Sequence, residues 1–386
     1  MADAGASPRP GFRTRGQPAA VAAVEAMLRT GVPHALLLVG PDGVGKATLA
    51  DDLATALLCR AEDPSARPCR ACRGCRAVEH GNHPDVHRLD PVGAGSVIPI
   101  GGRDERGVRD LTAALALLPV EGGPRVAIIA AAGRMTDDAQ SAFLKTLEEP
   151  PAGAVIVLCA DDEERLLPTV RSRCIRIRLG PVSRREVEAI VVEAGVEPPL
   201  AARVARLSGG RPGAALVLAR APDALRVRGE IARRLLDLGA ATRTDRLLGL
   251  RDLLSRAAEL VAALEPADAA PRARRPRVGP EEAASEPAPG ATGPTVRIPA
   301  AERRAAALAL VGLWQDLVRD IVATEGGMPD AVRDPELLEE LETVGRRLPP
   351  AAAAAQLCRL EVAGERLAGN VSPELVLDDL ALEWVA

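Results

Sequence analysis

Over the first 180 residues, short apolar runs alternate with amphipathic stretches, and after Gly180 that alternation stops. His34 to Val39, Val126 to Ala130 and Ala154 to Leu158 are near-continuous apolar runs of strand length, as expected for strands covered on both faces. Ile175, Ile177 and Leu179 alternate with Arg176 and Arg178, which predicts a fourth, half-exposed strand. Between the runs lie helical patterns: Leu49, Leu53 and Leu57 on one face, Arg109 to Leu118, and Thr136 to Glu149 with Ala139, Phe143 and Leu147 in register. Pro150 and Pro151 stop the last of these. Strands alternating with helices predict a parallel α/β sheet. From Pro181 to about Pro222 the periodicity is purely helical, and it is helical again from Leu225 to Leu264. Pro266 to Pro299 has no periodicity and reads as a disordered linker. Helices resume at Ala300. The expected domains are 1–179 (α/β), 180–222 (small, helical) and 223–386 (all-helical, broken by the linker 266–299).

Composition narrows the class. The chain has 386 residues, 47% hydrophobic and 26% charged, with a net charge of -4. That is a soluble, multidomain composition with no global basic signature of nucleic-acid binding. Aromatics are 1% and Tyr is absent, against base-stacking recognition. No apolar run approaches the roughly 20 residues of a membrane span, and no secretory apolar segment opens the chain, so a cytoplasmic protein is expected. Of the 49 basic residues only Lys46 and Lys145 are lysines. A Lys at a motif position therefore carries extra weight.

Gly40-Pro-Asp-Gly43-Val-Gly45-Lys46 fits GxxxxGK, between an apolar strand and an amphipathic helix. Glycines let backbone N–H groups turn around phosphates and the Lys reaches the outer ones. Gly40, Gly43, Gly45, Lys46 and Thr48 are thus candidate nucleotide-binding residues. Position 47, where a Ser or Thr hydroxyl would hold Mg²⁺, is Ala47. The second strand should end in acids for the metal and the attacking water, but Ala130 and Ala131 stand there. The alternative acid is Asp161, after the run Val155 to Leu158. A chance match among 35 glycines is the bland alternative, which the strand–loop–helix context opposes.

Cys59, Cys69, Cys72 and Cys75 give C-x9-C-x2-C-x2-C, a spacing able to close a tetrahedral zinc site. His80 and His83 are reserve ligands, expected to be structural. Cys159, Cys174 and Cys358 lie in apolar contexts and are expected in the core. Arg67, Arg70, Arg73 and Arg76 around the cysteines hint at a nucleic-acid module, although such charges are more often a solvated face.

Three strings are specific in combination: Arg134 to Pro151, Leu166 to Cys174, and the Cys cluster with Gly81-Asn-His83-Pro84-Asp85 behind it. Together they resemble the bacterial clamp-loader subunits of the AAA+ class. Asn370 to Leu380 resembles the close of the delta-prime kind. The resemblance covers most of residues 16–265 and 300–386. It implies an α/β P-loop domain with an inserted zinc module (59–75), a small helical lid and an all-α collar. It also implies one structural zinc ion, ATP or ADP bound without hydrolysis, and no intrinsic ATPase activity. The implied partners are gamma/tau and delta subunits in a hetero-pentameric ring that loads a sliding clamp onto primed DNA for DNA polymerase III. The family's Ser-Arg-Cys frame falls on Arg173 as an arginine finger acting in trans, with Arg171 as its rival. Gly213 stands where the lid's sensor arginine would be, with Arg211 close by. An active gamma/tau-type ATPase is the alternative; intact acids at 130 and 131 would have favoured it.

Overall fold

The computed structural model describes residues 11–91, 97–102, 106–264, 299–369 and 371–383. The linker expected at 266–299, Pro299 apart, lies outside the described residues, as does Asn370. The chain divides into two compact units, Met1–Leu216 and Val217–Ala386.

The first unit opens with α1 (Pro18–Thr30), β1 (Ala35–Val39), α2 (Lys46–Leu57), α3 (Arg73–Glu79), β2 (Val86–Leu89) and α4 (Val108–Ala116). It continues with β3 (Arg125–Ile129), α5 (Asp137–Glu148), β4 (Ala154–Ala160), α6 (Pro168–Arg171) and β5 (Ile175–Arg178). The strands form one parallel sheet in the order β2-β3-β4-β1-β5. The period-2 geometry of a strand splits the apolar runs between two faces. Leu36 and Leu38 meet Leu49 and Leu53 of α2, while Ala35 and Leu37 belong to the core containing Leu111, Phe143 and Leu147. Covering both faces explains why these strands are apolar throughout. β1, which carries the phosphate loop, is separated from β3 by β4. This strand order, with a phosphate loop after β1, is the AAA+ P-loop architecture. Thr136 caps α5, its hydroxyl accepting from the Ala139 N–H.

Two elements are additions to the sequence reading. α1 precedes the first apolar run, and β2 pairs with β3 at the sheet edge. The Cys-rich segment is also not all loop, since α3 begins at Arg73 with Cys72 as its N-cap. Three short helices, α7 (Arg184–Glu193), α8 (Pro198–Leu207) and α9 (Pro212–Arg220), follow the sheet.

The second unit is helical: α10 (Pro222–Leu238), α11 (Arg243–Leu264), α12 (Ala300–Glu325), α13 (Leu338–Gly345), α14 (Pro350–Ala368) and α15 (Pro373–Leu382). α12 is its axis, burying Leu310, Trp314, Leu317 and Ile321 against the other helices. Cys358 corrects an expectation: it is exposed, whereas Cys159 and Cys174 are buried. α14 turns Ala353, Gln356, Leu360, Ala363 and Leu367 inward, and that stripe leaves position 358 outside.

Candidate functional site: a phosphate loop beside a four-cysteine cluster

Gly43, Gly45, Lys46, Ala47 and Thr48 line a cavity of about 410 Å³, together with Arg13, Arg15, Ala130 and Gly213. Gly40, Gly43 and Gly45 all have positive φ. At Gly40 a side chain is excluded outright, because a Cβ would sit 2.1 Å from the Leu179 carbonyl oxygen. α2 begins at Lys46, so its first free N–H groups lie beside the loop, the arrangement that favours anions.

The Lys46 side chain is buried and fully engaged. Its Nζ donates to the Gly40 carbonyl (2.7 Å), the Pro41 carbonyl (2.9 Å) and Asp161 Oδ1 (2.7 Å). Asp161 follows β4, the strand next to β1. Ala130, after β3, lines the cavity and offers no ligand atom. The start of α9 meets the loop directly: the Gly213 N–H donates to the Gly43 carbonyl at 2.9 Å. A Cβ at 213 would stand only 3.2 Å from the Gly43 Cα. Arg211 is tied to the Ser208 carbonyl (2.8 Å) and does not line the cavity.

The four cysteines converge. Cys59, Cys69, Cys72 and Cys75 place their sulfurs within 4.8 Å of one another, so the set can hold a metal such as zinc. Backbone N–H groups aim at three of these sulfurs: Ala61 and Cys69 at Cys59, Cys72 at Cys69, and Cys75 at Cys72. Partial burial opposes ionisation of Cys72, but donation from the backbone of Arg60 and Cys75 outweighs it and brings the thiol down to about 6. Cys69 is lowered by the N–H groups of Ala71 and Cys72. Cys75 is pushed up by its burial and by the neighbouring Cys72 sulfur. This donor set fits a soft cation. His80 and His83 stay out of the cluster. His80 Nδ1 faces the Arg76 carbonyl, and the buried His83 accepts from the Asp85 N–H.

Two of the four arginines near the cysteines are tied into the protein, whereas Arg73 and Arg76 are exposed. Arg67 donates twice to the Ala61 carbonyl. Arg70 binds Asp52, Glu79 and the Gly11 carbonyl. Arg73 pairs with Glu121 at 3.3 Å. The internal ties of Arg67 and Arg70 weaken the nucleic-acid reading for those two residues.

Arg173 lies apart from the cavity, between α6 and β5. It is half-buried, donating to the Thr169 carbonyl (2.8 Å) and pairing with Glu148. Arg171 is less exposed and pairs with Glu164 at 2.6 Å. Two relationships that the sequence reading missed join distant positions: the Asp161–Lys46 pair and the Asp52 network.

Residues 16–183 match the family model described as DNA polymerase III, delta subunit. The chain is 36% identical over 186 residues to the DNA polymerase III subunit delta-prime of Escherichia coli, covering 48% of this chain and 54% of that one. It is 37% identical over 143 residues to the Pseudomonas aeruginosa subunit of the same name, covering 37% and 42%. Residues 16–183 are thus similar to the N-terminal part of delta-prime clamp-loader subunits. The chain spans about half the length of these curated relatives. A gamma subunit-related protein of DNA polymerase III from Thermotoga maritima is 19% identical, with a TM-score of 0.44, over 94% of this chain and 99% of that one. The delta-prime resemblance rests on the same residues as the site, since the matched region holds both the phosphate loop and the four cysteines. Among the described residues no helix is long and apolar enough to cross a membrane.

Proposed function

We propose that the chain works as a non-hydrolysing delta-prime subunit, assembling with gamma/tau and delta subunits into a ring that loads a sliding clamp onto primed DNA. One observation carries the reading. The phosphate loop keeps the backbone of a nucleotide site, yet positions 47, 130 and 131 are all alanine, so neither a metal nor an attacking water has a ligand there. The loop glycines, Lys46 and Thr48 hold ATP or ADP without turning it over. Zinc, as one ion on Cys59, Cys69, Cys72 and Cys75, is structural, because four thiolates leave no open coordination position. Residues 1–179 form the P-loop domain, 180–222 the lid, and 223–386 the collar that joins the ring. Arg173 completes a neighbour's site in trans. Giving up its contact with Glu148, a half-buried arginine paired with an exposed carboxylate, costs little, at most about 1 kcal/mol.

Asp161, at 2.7 Å from Lys46 Nζ, favours a second reading, an active gamma/tau-type ATPase with a displaced metal acid. The experiment that separates the two is co-purification of the full chain with gamma/tau and delta subunits, with ATPase measured on the chain alone. The first reading expects stoichiometric assembly and no turnover by the isolated chain. Turnover that disappears in Lys46→Ala supports the second.

A further inference from the structure

Asp52 sits on α2, two turns beyond the phosphate loop, and is completely buried. A buried carboxylate must be compensated, and here the partners come from two other parts of the chain. The backbone N–H groups of Arg13 (3.0 Å) and Thr14 (2.8 Å) and the Thr14 hydroxyl (2.6 Å) donate to it, and Arg70 Nη2 pairs with it. Arg70 is the residue directly after the cluster cysteine Cys69. Its other donors reach Glu79 (3.1 Å) and the Gly11 carbonyl (2.6 Å). Glu79 in turn holds the Arg13 guanidinium at 3.1 Å. Gly11 lies so close to the Cys segment that a Cβ there would stand 2.0 Å from the Pro68 carbonyl oxygen. The segment 11–15 is therefore held between the four-cysteine module and α2. Its residues Arg13, Thr14 and Arg15 line the cavity that contains the phosphate loop.

We propose that the four-cysteine module is the scaffold for one wall of the nucleotide cavity, and that Arg70 and Asp52 are positioning residues linking metal occupancy to nucleotide affinity. The proposal rests on the reading above, that the cluster takes zinc and the cavity takes nucleotide. Zinc fixes the backbone at Cys69 and Cys72. Arg70, between them, then has one place from which it reaches Asp52, Glu79 and Gly11 together. Without the metal that turn loosens, the guanidinium leaves Asp52, and the Arg13–Thr14 backbone loses its anchor. Linkage makes the effect reciprocal: whatever factor zinc adds to nucleotide affinity, nucleotide adds to zinc retention.

Two readouts on the full chain test this: trypsin cleavage after Arg13 and Arg15, and titration with a fluorescent N-methylanthraniloyl-ADP. Arg70→Ala is expected to keep its zinc, to be cut after Arg13 and Arg15 roughly tenfold faster, and to bind the ADP probe about 5- to 150-fold more weakly, the usual range of a coupling between sites. Chelator-treated wild-type chain should behave likewise, and Arg70→Lys should fall between. If Arg70→Ala does not fold, the double variant Asp52→Asn/Arg70→Gln, which leaves no buried charge unpaired, takes its place. Unchanged protection at Arg13 and Arg15 in a zinc-loaded variant overturns the proposal. So does equal probe affinity in wild type and variant. A wild-type chain that binds no probe, yet shows the expected cleavage pattern, overturns the nucleotide reading while the scaffold role stands.

Discussion

Replacing Asp161 with Asn asks what a carboxylate is doing on the phosphate-loop lysine. An ammonium has three donors, and all three of Lys46 are in use: two on loop carbonyls and one on Asp161. A phosphate must displace one of them. Asp161 is the partner to yield, because its side chain is 66% exposed while that of Lys46 is 6% exposed. An ion pair with one solvated partner is worth about 1 kcal/mol or less. A carboxylate about 4 Å from a phosphate adds repulsion of about 1 kcal/mol in water. Asp161→Asn should therefore raise ADP affinity by about 5- to 30-fold, measured by fluorescent-ADP titration of the full chain. The gain should be the same with Mg²⁺ and with EDTA, since on this account the carboxylate competes with phosphate and holds no metal. The refuting result is weaker binding of the variant with Mg²⁺ and unchanged binding in EDTA. That pattern would make Asp161 a magnesium ligand.

Two further tests address the metal and the helical unit. Cys69→Ser/Cys72→Ser should lose one zinc ion per chain and lower the unfolding midpoint of the first unit by about 5 °C or more; wild-type protein purified without chelator and found free of zinc would contradict the structural-zinc reading. In the second unit, burial pushes Asp320 up to about 6, against the opposing N–H groups of Arg333 and Asp334 and the Arg228 charge. A carboxyl raised in the fold favours the folded state below the unfolded value, and that contribution is lost as pH climbs from about 4 through about 6. Asp320→Asn should flatten the pH dependence over that window. Unfolding can be followed by tryptophan fluorescence, because Trp314 is buried in the core of this unit and no tryptophan occurs in residues 1–216. An unchanged slope would show that Asp320 does not set it.

How much was legible in the sequence depended on whether a feature is local. The apolar strands at 35–39 and 154–160 declared themselves because both faces are covered and every position is apolar. β2 did not, since Val86-His-Arg-Leu89 is an edge strand with one paired side and polar residues at its centre. The phosphate loop and the four cysteines were readable from spacing alone. The Asp52 network was not: it gathers residues 11 to 14, 52, 70 and 79, and only the fold makes them neighbours. Gln356 is another case. A polar residue on the inward stripe of α14 reads as surface, yet it is buried, while the more apolar Cys358 faces out.

On the proposed function, a subunit with no working site of its own contributes Arg173 to its neighbour's. The most direct test is the DNA-stimulated ATPase of rings reconstituted from gamma/tau, delta and this chain, comparing wild type with Arg173→Ala. An arginine finger is worth on the order of 10³ at the site it completes, whereas the pair with Glu148 is worth about 1 kcal/mol at most to folding. The account predicts intact assembly, loss of hydrolysis at the adjoining site, and a smaller effect from Arg171→Ala, whose side chain is held by Glu164. Equal ATPase rates for wild-type and Arg173→Ala rings would contradict it.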